Sequence, residues 1–321
     1  TRETPITGNA IWNEDFENAS SLPYNGITTT TQGTDAGFVI ASSSGSSWKI
    51  PAHSTYALTN DDLCNCDKSN DILELPSQDF TSQHSVFFEC DIFHDMSSGD
   101  GIVYLDIDTG NSWQTIDSVG AAGNWRLFQS GLPNTLGKNS YSIRLRYSDN
   151  GAWATGCAID NIRLIEPALK YNVHISQPWT DELPLHEITS FQQSGLPQKF
   201  PLTLENTGQE RLNNISIVQQ ISGQESGKSG YAPLSLSPAE KSVVLSHEPF
   251  RYGPEKGTYK SLAIASHDSL NPTQNDTLAL TLQLSDSTMS HDLSLFDTTS
   301  LWFGPGVNYQ LTHSFHFNKP D

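Results

Sequence analysis

Ser142-Ile-Arg-Leu-Arg-Tyr147 alternates apolar and polar residues through six positions. A period of two puts one set of side chains on a core and the other in water, which is the signature of a half-buried β-strand. Short runs of the same kind surround it, at 11–17, 37–41, 56–59, 72–75, 85–93, 101–107, 112–117, 125–128 and 156–165. Tyr104-Leu-Asp-Ile-Asp-Thr-Gly-Asn-Ser-Trp113 reads as a hairpin with Thr109-Gly-Asn111 in the turn. Strands spaced near ten residues with turn signals between them predict a β-sandwich.

Pro167 closes this first unit, 1–167, and a new pattern opens at Tyr171-Asn-Val-His-Ile. Strands at 198–205, 214–221, 241–246, 257–267 and 277–284 predict an immunoglobulin-like β-sandwich over 168–285. Residues 286–321, with an alternating run at 309–317, read as the first strands of a truncated third β domain, too short for a core of its own.

Composition agrees with an all-β protein. Hydrophobic residues are 36% and charged residues 17%, with Ser, Thr, Asn, Gln and Gly filling the balance, which suits polar turns better than a helical bundle. Aromatics at 10% supply enough apolar area to exclude disorder. The net charge of −19 repels phosphate backbones and anionic lipid, so neither nucleic acid nor a membrane surface is an expected partner. No stretch is apolar enough to insert into a membrane. No signal peptide opens the chain, whose Thr1-Arg-Glu-Thr-Pro-Ile start reads as processed or cloned, so its absence does not argue for the cytoplasm.

Thr59-Asn-Asp-Asp-Leu-Cys-Asn-Cys-Asp-Lys-Ser-Asn-Asp-Ile-Leu73 sets Asn60, Asp61, Asp62, Asp67 and Asp71 into one turn. Calcium takes six to eight oxygen ligands, and an irregular Asn/Asp loop offers them. The loop is not an EF-hand, lacking the Gly of the sharp turn and the final Glu. The competing reading is an Asx-rich turn that satisfies its own backbone. Cys64-Asn-Cys66 lacks zinc-finger spacing, and Cys90 and Cys157 read as buried thiols or one cross-strand disulfide.

Three separated motifs resemble the cleaved-adhesin family: Trp12-Asn-Glu-Asp-Phe-Glu17 with Leu22-Pro23, then Tyr56 through Asp71, then Cys157-Ala-Ile-Asp-Asn-Ile162. The resemblance covers about residues 10–166. It implies a jelly-roll β-sandwich related to MAM and galactose-binding-like modules, of the kind found in secreted proteins of Bacteroidetes. It also implies a structural Ca2+ shared by Glu17 and Asp160, with the Asn60, Asp61, Asp62 loop as third contributor. Asp160 lies in an otherwise apolar strand, where an unpaired carboxylate is costly and a metal would relieve it. The family's usual Trp after Leu-Pro is Tyr24 here. Phe200 through Gly208, Ser235 through Ala239 and Asn271 through Thr277 resemble the immunoglobulin-like spacers that follow such jelly rolls. Asp117-Ser-Val, Asp268-Ser-Leu, Asp276-Thr-Leu, Asp286-Ser-Thr and Asp297-Thr-Thr resemble the short O-glycosylation signal of that phylum.

No nucleophile elbow, zincin helix or phosphate loop occurs, and the ten His are scattered, so no enzyme is expected within these residues. The expected function is a non-catalytic, calcium-stabilised, adhesin-like binding module of a secreted or cell-surface protein. Its ligand would be an extracellular glycan or protein, and further domains of a longer polypeptide its covalent partners. The alternative is a structural accessory region of a larger secreted protease or other hydrolase. Tyr24, Trp48 and Trp153 are the candidate ligand-binding aromatics, whereas Trp113 and Trp125 have the hairpin and strand contexts of core residues.

Overall fold

Alternation in β-strands becomes two apposed sheets in the computed structural model, which describes residues 5–94, 101–108, 110, 112–120, 123–176, 185–189, 197–198, 201–223, 226–246, 250–251, 257–269 and 276–285. The first unit runs β1 (Gly8–Glu14), β2 (Thr28–Thr30), β3 (Val39–Ala41), β4 (Tyr56–Asn60), the one-turn helix α1 (Asp61–Cys64), β5 (Asp71–Glu74) and β6 (Gln78–Phe80). It continues through β7 (Val86–His94), β8 (Ile102–Asp108), β9 (Trp113–Val119), β10 (Arg126–Leu132), β11 (Lys138–Tyr141), β12 (Ile143–Ser148) and β13 (Gly156–Pro167). One sheet has the order β10-β7-β13-β4-β3, with β1 also paired to β13; the other has the order β2-β5-β12-β8-β9.

Burial follows the pleat. On β12, Ile143, Leu145 and Tyr147 are wholly buried while Arg144 and Arg146 are half-buried on the opposite face. Phe88, Ile92, Ile159, Leu164, Val103 and Leu105 join them in one core between the sheets. Burying a side chain of that size stabilises by about 1.5–3 kcal/mol. Trp48, Tyr56, Leu58, Phe93 and Ala158 form a satellite cluster on the far side of the first sheet. Cys90 and Cys157 are free, buried thiols, which settles the alternative left open by their strand contexts. Desolvation raises both thiols well above the ordinary range, so they pack as small hydrophobes. Cys64 and Cys66 are joined by a disulfide.

The second unit comprises β14 (His174–Ser176), β15 (Leu185–Thr189), β16 (Pro197–Gln198), β17 (Pro201–Glu205), β18 (Leu212–Ser222) and β19 (Gly227–Gly230). After these come β20 (Leu234–Leu236), β21 (Lys241–Leu245), β22 (Phe250–Arg251), β23 (Gly257–Ser266) and β24 (Asp276–Ser285). Its principal sheets are β14-β17-β21 and β15-β24-β23-β18-β19, around a separate core that includes Val173, Ile175, Leu202, Leu204, Leu212, Ile215 and Ile217. The third-domain reading of 286–321 lies outside the described residues.

Close contacts join the two units. Gln209 donates to the Pro167 carbonyl at 2.7 Å and Ser85 to the Gly208 carbonyl at 3.1 Å. Gly131 abuts Ala239 so closely that a Cβ there would lie 2.6 Å from the Ala239 carbonyl oxygen. Only a residue without a side chain fits.

Candidate functional site

The acidic turn is built from its own hydrogen bonds. Asn60 caps α1: its side-chain oxygen accepts from the Leu63 N–H at 3.0 Å, and its amide donates to the Ser44 carbonyl at 2.6 Å. Asn65 ends the turn in the left-handed region, φ 50°, a conformation Asn tolerates. Asp61 is buried and accepts from the Ala154 N–H at 2.8 Å; burial raises its pKa against that hydrogen bond. Asp62 accepts from the Ser47 hydroxyl at 3.1 Å. Asp67 accepts from the Ser69 N–H at 2.9 Å, an Asx-type turn.

Beneath the turn sits a cation supplied by the chain itself. Lys68 is wholly buried, with Nζ 2.6 Å from both oxygens of Asp35 and 3.0 Å from Asp71 Oδ2. Asp71 also accepts from the hydroxyls of Thr31 and Thr59. Asp149 accepts from the Lys68 N–H at 2.9 Å and the Ser69 hydroxyl at 2.7 Å, tying the turn to the β12–β13 loop. The buried ammonium lies between two carboxylates, and removing it would leave a buried charge uncompensated. Asp35, Cys64 and Cys66 form the one metal-sized ligand group among the described residues, but the disulfide removes its thiolates.

That same β12–β13 loop carries Trp153, whose residue surface is 57% exposed. Its neighbours are fixed: Ala152 N donates to the Asp149 carbonyl, Ala154 N to Asp61, and the Asp61 N–H to the Thr155 carbonyl. Leu63, on α1, is also exposed. Trp48 is placed differently from the expectation of a ligand-facing ring. It is 4% exposed and stacks on Phe93 with centroids 5.7 Å apart, while Ser44 and Ser46 of the preceding polar run bond its backbone. Tyr24 is half-buried beside the cis Leu22–Pro23 bond, in a bridge to Ile27. Trp125 packs on Tyr56 and Phe93, as its strand context suggests. Trp113 departs from that expectation and lies half-buried on the outer face of its sheet, against Arg144.

A second acidic group lies toward the other end of β4. Asp160 is fully buried on β13, directly opposite Asp91 of β7 in the antiparallel ladder. Like charges in register are destabilising. Among the described residues neither carboxylate is paired with Lys or Arg; His53 lies between them, its Nε2 3.6 Å from Asp91 Oδ2. Asp160 instead accepts from the Ser54 hydroxyl at 2.9 Å and the Asn161 N–H at 2.7 Å, and lies 3.1 Å from His53 Nδ1. Asn161, at φ 50° where the register shifts between Asp160 and Arg163, donates its side-chain amide to Asp91 at 2.9 Å. Desolvation raises Asp160 to about 6; the Asn161, Ser54 and His53 contacts hold it back from going higher. Glu17 is exposed and accepts from the Thr55 N–H at 3.2 Å, one residue beyond Ser54.

Glu17 and Asp160 thus bond neighbouring residues of the Ser54–Thr55 segment, and Asp91, opposite Asp160, is a further carboxylate that sequence reasoning missed. The Asn60–Asp62 turn is elsewhere: Asn60 opposes Gly156, four residues from Asp160 along β13, or about 13 Å at 3.3 Å per residue. Carboxylates with hydroxyl and amide oxygens nearby form a hard donor set of the type calcium takes, and the repulsion between Asp91 and Asp160 is what a divalent cation would relieve. Glu17, Asp91 and Asp160 would hold it only if a cation drew the three together, because their oxygens do not lie within metal-ligand distance of one another.

No family model matches the chain, and no curated protein matches it. Among solved structures, it is similar to the K3 cleaved adhesin domain of Lys-gingipain from Porphyromonas gingivalis w83, at 11% identity and a TM-score of 0.36, over 49% of this chain and 99% of that one. It is similar at 11% identity and a TM-score of 0.35 to the CBM22-1 xylan-binding domain of Paenibacillus barcinonensis Xyn10C, over 51% of this chain and 99% of that one. The K1 cleaved adhesin domain of the same Lys-gingipain aligns at 13% identity and a TM-score of 0.36, over 48% of this chain and 96% of that one. Identities this low leave ligand and activity to the chain's own residues.

Proposed function

We propose that this chain is a non-catalytic binding module of a secreted or cell-surface protein, which takes an extracellular glycan at the loop end that presents Trp153. The observation that carries the reading is a large aromatic ring left 57% exposed on a loop whose backbone is fixed on both sides by buried Asp61 and Asp149. A rigid ring exposes apolar area for the face of a sugar without an ordering cost on binding. Asp62, Ser47 and Asn150 stand on the neighbouring segments as polar groups that could orient a saccharide.

Calcium has a stabilising role in this proposal. Bound by Glu17, Asp91 and Asp160, it would tie the chain after β1 to the sheet of β7 and β13, away from the ligand end. Protein segments fused beyond this chain would be its covalent partners. The second reading, a structural accessory region, is favoured by one feature: the close junction of Gly131 with Ala239 and of Gln209 with Pro167 suits a stiff spacer.

A glycan array probed with the wild-type chain and Trp153→Ala separates the two. Saturable binding that falls at least about tenfold in Trp153→Ala, at unchanged melting temperature, supports the binding module. Silence across the array, or binding indifferent to Trp153, contradicts it and leaves the accessory role.

A further inference from the structure

The outer face of the β2-β5-β12-β8-β9 sheet carries a group that neither the loop end nor the proposed calcium site uses. Asp106 of β8 is 1% exposed, yet lies on the face turned away from the core. It accepts from Arg144 Nε at 3.0 Å, Arg146 Nε at 2.9 Å and the Thr115 hydroxyl at 2.6 Å. Burial works to raise its pKa, but the Arg146, Thr115 and Arg144 hydrogen bonds win and hold it below the ordinary carboxylate range. Arg144 lies over the Trp113 ring, 4.1 Å to the centroid, and Arg146 over the Tyr104 ring at 4.3 Å. Each guanidinium is thus fixed by a carboxylate at one edge and an aromatic ring on one face.

One carboxylate cannot use both forks. Arg144 Nη1 and Nη2 and Arg146 Nη1 have no hydrogen-bond partner among the described residues. Glu74 stands opposite Arg144 in the ladder and makes no ion pair with it among those residues. Both side chains keep some exposure, 16% and 21%, on a chain whose net charge is −19.

We infer that Arg144 and Arg146, backed by Trp113 and Tyr104, form a second binding site for a carboxylate-bearing saccharide such as a uronic acid. The forked N–H groups match a carboxylate's two oxygens, and the ring edges beside them offer apolar area to a sugar. An acidic peptide fits less well. β8 and β12 are interior strands paired on both sides, so a peptide finds no free backbone edge to extend. The site is distinct from the Trp153 end and does not depend on it.

The test is calorimetric titration of the full chain with trigalacturonic acid and with its methyl ester. The acid binds, and the ester binds at least about tenfold more weakly, because esterification removes the charge that the guanidinium donors recognise. Arg144→Gln weakens the acid at least about tenfold while the chain stays folded, since Arg146 and Thr115 still satisfy Asp106. Should Arg144→Gln fail to fold, Arg144→Lys keeps the charge, loses the fork and is expected to show the same loss. Trp153→Ala leaves this binding unchanged even where it abolishes a response on the glycan array. No binding of the acid, equal binding of acid and ester, or wild-type binding by the folded Arg144 variant overturns the site. Hexaglutamate binding as tightly as the trisaccharide overturns the ligand class.

Discussion

Lys68→Met should lower the unfolding free energy by about 3–5 kcal/mol, the range for removing one partner of a buried ion pair. The lost ammonium leaves the fully buried Asp71 facing Asp35 with no cation between them. Methionine fills similar volume, so the loss reports charge more than packing. Urea unfolding followed by tryptophan fluorescence reads it as a lower midpoint at unchanged slope. Adding Asp71→Asn to Lys68→Met should recover part of the loss, because it removes one of the stranded charges. A Lys68→Met chain as stable as the wild type would mean that the ammonium is not the cation of this turn.

The effect of Asp160→Asn should reverse sign with calcium. The folded-state pKa of Asp160 is about 6, above the ordinary value of about 3.9. A carboxyl raised on folding contributes stability below its unfolded pKa and loses it as pH rises through the folded one. In EDTA, stability attributable to Asp160 should therefore fall between about pH 4 and 7, by up to roughly 3 kcal/mol. Asp160→Asn should flatten that slope and be the more stable form at pH 7, since its amide can donate to Ser54 or His53. With calcium at a thousandfold excess over its dissociation constant, the wild type gains about 4 kcal/mol and becomes the more stable of the two. Melting curves of both forms at pH 5 and 7, with calcium and with EDTA, read the crossing. If Asp160→Asn ranks the same in both buffers, the calcium proposal at Asp160 is wrong.

The strands were legible where local pattern and burial coincide. Ile143, Leu145 and Tyr147 alternate in the sequence and fall together in the core. The two tryptophans that follow serines show where local pattern stops. Trp48, in a polar run, is buried, whereas Trp113, in a hairpin, lies on the outer face. The face a side chain takes depends on register, and the β8–β9 ladder shifts register between Leu105 and Asp106. Asp71 lies only three residues from Lys68, but nothing local marks the lysine as internal, since its second carboxylate, Asp35, is 33 residues away. The acidic turn looked alike under the calcium and Asx-turn readings, because both call for the same Asp and Asn residues. Only tertiary packing brings Asp91 opposite Asp160, and so separates an acid group with its own lysine from one whose basic partner is the titratable His53.

That separation is the centre of the account, and calcium titration of the wild type, Asp160→Asn and Asp62→Asn by calorimetry tests it most directly. The account predicts one site in the wild type, lost in Asp160→Asn and kept in Asp62→Asn. No calcium heat in the wild type, or a site lost with Asp62 and retained without the Asp160 carboxylate, would contradict it.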